Sequence, residues 1–274
     1  MLSSMTSRHI AVCSWSLKPQ NPMDLISGCK QCEIDSIQLA LLPLLHEPQW
    51  EHCIEMLHNA GIKVLSGMFE ATGEDYTTLE TIAKTGGLAQ GHMWPSTEEN
   101  AKLVACLASQ MHLPLVTFHA GFIPENACEE REVMLYRLRV LADIFGSKDI
   151  LLGLETGQEC AANVVSVLKE LSHPSLVVNY DPANMILYGK GKPIEAIEAL
   201  LPWVKQVHIK DAKQSEQVGV WGTEMPAGEG DVPWGDFLKV VPKEVDLVIE
   251  REGGKNRVDD IRQAAYLLRE LGAC

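Results

Sequence analysis

A chain of 274 residues that is 46% hydrophobic is long enough for one large α/β domain and too apolar to be disordered. Its 23 Lys+Arg against 37 Asp+Glu give a formal net charge of −14. That balance repels phosphate backbones and anionic bilayers, and so argues against a nucleic-acid or membrane partner.

The N-terminal segment MLSSMTSRHIAVCSWSL has no long apolar stretch, and no later run reaches ~18 apolar residues, so the chain reads as soluble and cytoplasmic. The first strand-like run is 9–17 (HIAVCSWSL). Cys29 and Cys32 form a CxxC pair inside a helix-like stretch. No second pair completes a zinc site, so they read as reduced thiols. Strand-like runs follow at 36–42 (SIQLALL), 62–69 (IKVLSGMF) and 113–121 (LPLVTFHAG), with helical patterns at 50–61 and 97–110 between them. In 130–146, Val133, Leu135, Leu138, Leu141, Ala142 and Phe145 recur at near-helical spacing. The later strands are 149–157 (DILLGLETG), 176–181 (LVVNYD), 204–212 (VKQVHIKDA) and 245–252 (VDLVIERE), with helices at 161–171 and 259–272. The stretch 213–233 reads as the longest loop.

Eight strand signals alternating with helix signals imply parallel strands joined by crossover helices, and eight units closing on themselves make a single (β/α)8 TIM barrel over residues 1–274. The rival, an open doubly wound sheet, usually carries a Gly-rich phosphate turn, and neither GxGxxG nor GxxxxGK[ST] occurs. In a barrel the C-terminal strand ends share one face. The last four strands deliver Glu155, Asp181, His208 and Glu250 to it, 26, 27 and 42 residues apart. One such residue alone is more often a helix cap, a loop ion pair or a core histidine. Three carboxylates and an imidazole converging on one partly buried mouth repel one another unless protons or a cation intervene. The set is oxygen-rich with one nitrogen and suits one divalent ion: Mn²⁺, Mg²⁺, Co²⁺ or Zn²⁺.

NYDPANM, VHIKDA, GEGDVPWGDFL (228–238) and VIERE resemble motifs of the sugar-phosphate isomerase/epimerase superfamily. These are the xylose isomerase-like TIM barrels, which include ketose 3-epimerases, hydroxypyruvate isomerases and inosose dehydratases. The resemblance is close over strands 4 to 8 and loose over strands 1 to 3. It implies one divalent metal held by Glu155, Asp181, His208 and Glu250, with Glu155 and Glu250 as the acid/base pair. It implies proton transfer next to a carbonyl through a cis-enediolate, on a sugar or sugar phosphate. Three residues after Asp181, where ketose 3-epimerases carry His, stands Asn184, which looks more like the pentulose-phosphate 3-epimerase branch. Strand 2 carries Gln38 where many members have Glu.

His119, Asn184, Lys210, Trp15 and Glu229 are the expected substrate contacts. Strand alternation puts Lys210 on the side of His208. Asp211 is expected to orient a neighbour and Arg251 to form an ion pair, while His92 and Trp94 are placed to cover the pocket. Family barrels are often dimers or tetramers, so a homo-oligomer is compatible with the resemblance. Two alternatives share the expected barrel: a keto-polyol (inosose-type) dehydratase and a non-catalytic sugar-binding barrel. A DNA-repair endonuclease of this fold with three zinc ions is disfavoured, because that branch uses many more His ligands, whereas most of the nine His here lie in predicted helices or outside strand ends, and the chain is acidic.

Overall fold

The structure is a computed structural model that describes residues 8–157, 159–217 and 220–273. The strands are β1 (Ile10–Cys13), β2 (Ser36–Ala40), β3 (Lys63–Met68), β4 (Leu115–Phe118), β5 (Leu151–Glu155), β6 (Leu176–Tyr180), β7 (Val204–Ile209), β8 (Asp211–Lys213), β9 (Thr223–Met225) and β10 (Asp246–Ile249). β1 to β7 and β10 close into a barrel in sequence order, every pair parallel, with β1 against both β2 and β10. The expected (β/α)8 barrel is therefore present. Among the described residues no helix is long and apolar enough to cross a membrane.

Alternation along each strand divides the core in two. Val12, Ile37, Leu152, Val178 and Leu247 point outward into a large apolar layer shared with the helices, including Leu138, Leu141 and Phe145 of the helix Glu129–Gly146. Ala11, Cys13, Leu65 and Val248 form a small separate cluster. Above it the buried set turns polar, with Gln38, Ser66, Thr117, Asn179, Gln206 and His208.

Several boundaries differ from the sequence reading. The run 9–17 is a strand only to Cys13, and Ser14–Leu17 is a 3₁₀ turn closed by Lys18 at φ 49°. The serines explain the change: Ser14 Oγ accepts from Ala40 N and Ser16 Oγ from Arg251 N, both at 2.9 Å, so side chains serve neighbouring strand ends that the backbone has left. The pattern at 50–61 is a 3₁₀ turn, Pro48–Trp50, then a helix, Cys53–Asn59. The helix expected at 97–110 begins already at Trp94, because Pro95 suits a first turn, and a further helix, Leu79–Thr85, precedes it. Trp94 packs beneath the Arg137 guanidinium, and His92 is exposed, so neither covers the pocket. Within 213–233, β9 pairs antiparallel with β8. Cys29 lies in the helix Pro22–Gln31 and Cys32 just past it, and every described cysteine is a free thiol.

Candidate metal centre and the cavity beside it

Glu155 is the last residue of β5, and Glu250 follows β10 directly. His208 lies inside β7, and Asp181 caps the helix Pro182–Leu187. The two oxygens of Asp181 have different tasks. Oδ1 accepts from Ala183 N at 2.8 Å and Asn184 N at 3.0 Å, an N-cap. Oδ2 is buried without a hydrogen-bond partner, and so is His208 Nδ1. From Nδ1 it is 3.4 Å to Glu155 Oε1, 3.6 Å to Glu250 Oε2 and 3.9 Å to Asp181 Oδ2.

One ligand atom from each of the four side chains falls within 4.8 Å of the others. Two buried atoms able to offer a lone pair, neither with a hydrogen-bond partner and both beside two further carboxylates, are what a site for one divalent cation requires. The donor set fits. Without an ion the same crowding appears as proton affinity. Burial pushes the Asp181 carboxyl up to about 7, with Lys210 opposing and Glu250 and Glu155 adding to the rise. Burial would also raise Glu155, but His119 and His208 outweigh it and hold Glu155 below the usual carboxylate range. For Glu250, Lys210 and His208 overcome burial and depress it strongly.

The floor of the site is a neutral network. His208 Nε2 lies 2.8 Å from Gln38 Oε1, and Gln38 Nε2 donates to Thr117 Oγ1 at 2.7 Å. That orientation makes Gln38 Oε1 an acceptor and keeps a proton on Nε2, so that Nδ1 is the nitrogen a divalent ion would take. Burial would lower the His208 pKa, but without an ion Glu155, Cys13 and Glu250 outweigh it and raise His208 well above the usual imidazole range. Asn179 Nδ2 also stands 3.0 Å from Nε2, but its protons have Glu155 Oε2 as acceptor at 3.4 Å. Asn179 is oriented in turn by Gln206 Nε2 at 3.2 Å, and Gln206 by Ser66 Oγ at 2.6 Å.

A cavity of about 440 Å³ opens above the centre and reaches Glu155 and Glu250. Trp15, His119, Asn184 and Lys210 are in its wall. Trp15 Nε1 donates to Glu250 Oε1 at 2.8 Å, and Lys210 Nζ to Glu250 Oε2 at 2.8 Å and Glu252 Oε2 at 2.5 Å. Asn184 Nδ2 donates to Glu155 Oε1 at 3.2 Å, and His119 Nε2 is 3.4 Å from the same oxygen.

Glu229 is the exception. It is exposed, takes a 3.4 Å hydrogen bond from Gln263 and is not in the cavity wall. Its motif serves the loop instead. Asp211 accepts from Gly228 N, Gly230 N and Val232 N, and from Trp234 Nε1 at 2.9 Å. Gly230 is required because a Cβ there would meet Asp211 Oδ1 at 2.1 Å. Arg251 makes the expected ion pairs, to Glu224 and Asp260.

The wall also contains Glu70, Tyr76, Tyr188, Trp221, Glu224 and Glu252, which the sequence reading did not assign to the site. Asn179 and Gln206 were within reach of it. Gln206 lies two residues before His208 on β7, and Asn179 two before Asp181, which directly follows β6, so each faces the same way as the residue it precedes.

Fold and centre together define a closed parallel α/β barrel with an acidic, single-histidine cluster at the C-terminal mouth of its strands. Residues 94–271 match the family described as the xylose isomerase-like TIM barrel, and the chain belongs to that family. It is similar to a xylose isomerase domain protein from Planctomyces limnophilus, with TM-score 0.86 and 28% identity over 97% of both chains. A probable 3-DHS dehydratase, AsbF, from Bacillus anthracis shares the fold at TM-score 0.74 and 17% identity, covering 95% of this chain and 98% of that one. D-Psicose 3-epimerase with D-tagatose from Clostridium cellulolyticum H10 does so at 0.72 and 13%, covering 97% and 100%. A 76-residue segment is 39% identical to the uncharacterized protein YihM of Escherichia coli (strain K12), covering 27% of this chain and 23% of that protein.

Proposed function

We propose that this chain, as a single barrel domain over residues 1–274, is a divalent-metal-dependent sugar or sugar-phosphate isomerase or epimerase. Its reaction is proton transfer next to a carbonyl, with Glu155 and Glu250 as the acid/base pair. The observation that carries this reading is the placing of those two glutamates. Both reach within 3.6 Å of His208 Nδ1, both line the cavity, and both are held below the usual carboxylate range by the neighbouring cationic groups.

A divalent ion held by Glu155, Asp181, His208 and Glu250 would supply charge stabilisation of the carbonyl oxygen as the neighbouring carbon loses its proton. Mn²⁺, Mg²⁺, Co²⁺ and Zn²⁺ all suit the donor set. The chain does the rest. His119 and Asn184 both approach Oε1 of Glu155, which fixes that carboxylate against rotation. Trp15 and Lys210 clamp one oxygen each of Glu250. One glutamate removes the proton; the other returns it to the opposite face for an epimerase, or to the adjacent carbon for an isomerase. Positioned acid–base groups of this kind contribute ~10²–10⁴-fold. The indole of Trp15, tilted against the His208 ring at 6.3 Å between centroids, puts an apolar surface beside the reacting end.

The test is solvent exchange. The protein is loaded separately with each of the four ions in D₂O and given a panel of ketoses and ketose phosphates. Metal-dependent deuterium at a carbon next to the carbonyl is expected, and the labelled carbon separates 3-epimerase from 1,2-isomerase. Tight metal binding with no exchange on any substrate would turn the reading to a keto-polyol dehydratase if the product has lost water, or to a non-catalytic sugar binder if nothing changes.

A further inference from the structure

We infer that the substrate of this cavity is an uncharged keto-polyol, and that its acidic rim excludes phosphate esters. This rests on the isomerase/epimerase reading and narrows the class of sugar it acts on.

The wall is acidic beyond what the reaction needs. Glu70, Glu224 and Glu252 line it in addition to Glu155 and Glu250. Of the chain's 23 Lys and Arg, Lys210 is the one in the wall, and the positions outside the described residues hold neither type. Lys210 is already committed, buried between Glu250 and Glu252. Arg251 is turned away onto Glu224 and Asp260. The helix N-terminus closest to the centre, at Pro182, is filled by the Asp181 side chain.

A phosphate ester needs an Arg fork, a free Lys or open backbone N–H groups. Here it would meet carboxylates. A hydroxyl finds the opposite: Glu224 and Glu252, held in place by Arg251 and Lys210, offer it acceptor lone pairs, while each of those cations is shared with a second carboxylate and leaves the wall acidic. Glu70 is exposed at the rim, free of any hydrogen bond or ion pair, and can accept from a hydroxyl. The other rim surface is aromatic. Tyr188 packs edge-on against Trp221 at 6.0 Å, and Tyr76 stands 5.8 Å from His119. Carboxylate acceptors beside aromatic faces match the alternating O–H and C–H surface of a neutral polyol.

The experiment follows tryptophan fluorescence, since Trp15 and Trp221 line the cavity, in Mg²⁺-loaded full-length protein. It is titrated with D-fructose and D-tagatose, with the 6-phosphate of each, and with inorganic phosphate as competitor. The free ketoses are expected to bind at least ~10-fold tighter than their esters, as like-charge juxtaposition implies, and phosphate should not displace them. Glu70→Lys should raise ester affinity relative to free ketose, whereas Glu70→Gln should narrow the gap without reversing it. Esters binding as tightly as free ketoses, displacement by phosphate, or no binding of either member of a pair would each overturn the inference. Exchange in D₂O on the same samples separates the two readings. Binding preference for the free ketose with no exchange would sink the isomerase/epimerase assignment and leave the neutral-ligand site standing. Exchange with the esters alone would do the reverse.

Discussion

The mouth of the barrel has two unlike halves. β5, β6, β7 and β10 bring Glu155, Asp181, His208 and Glu250, three carboxylates and an imidazole. The strands β1 to β4 bring Cys13, Gln38, Ser66 and Thr117, all buried and without a carboxylate among them. Charge is concentrated in one half and its orientation is set by the other. Gln38 and Thr117 decide which nitrogen of His208 faces the carboxylates. The cost of burying like charges together is tolerable where a cation answers them, and the neutral half adds hydrogen bonds without adding repulsion.

The largest effect expected comes from breaking the charged half. Glu155→Gln or Glu250→Gln should lower metal-dependent solvent exchange by ~10²–10⁴-fold, read by NMR of deuterium incorporation. Loss in only one variant would show that a single glutamate does both proton transfers.

A second test concerns a buried carboxyl on the charged side but outside the four. Glu159 is buried after β5, and burial pushes it up to about 7 from an ordinary 4.5, with Ile123 N and His119 opposing. The folded chain then keeps a proton that the unfolded chain has released. Its stabilising contribution is complete below about 4.5 and is lost as pH rises through about 7. Glu159→Gln should remove up to about 3 kcal/mol of that pH dependence, measured by urea unfolding across the window. An unchanged pH profile would mean that water or a cation already answers this group.

The neutral half is sharpened by Gln38→Met, similar in size but unable to accept from His208. Metal affinity by calorimetry should fall ~10–100-fold, the usual size for a residue that orients a ligand, while the far-UV spectrum holds. Gln38→Glu should recover part of it, since a carboxylate also accepts from Nε2–H. The smallest effect belongs to Glu229→Ala, which should change neither exchange nor metal affinity, because Glu229 lies outside the cavity.

How much was legible follows the same division. Glu155, Asp181, His208 and Glu250 each close an apolar run, so one sequence marks them, and the family match over 94–271 covers those strands. In the other half, Trp15 and Gln38 could be seen but their tasks could not. Trp15 donates to a residue 235 positions away and Gln38 meets one 170 away. Glu229 misled because its motif is prominent, yet the prominence comes from the glycines and Trp234 that wrap Asp211. Glu224 and Glu252 gave no signal. A glutamate on a short hairpin or after a strand looks like solvated charge until Arg251 and Lys210 are seen beside it.

The amino-acid sequence by itself determined the alternation of strands and helices, the closure into eight units, and three carboxylates and an imidazole at the ends of consecutive barrel strands. All of these are local: the period of apolar residues, and the polar residue that ends each run. Only the tertiary structure decided which oxygen of Asp181 was left without a partner, which nitrogen of His208 faced it, and which carboxylates walled the cavity. Those choices arise where β1 closes on β10 and where a hairpin folds back over the mouth, bringing together groups whose separation along the chain carries no trace of their contact.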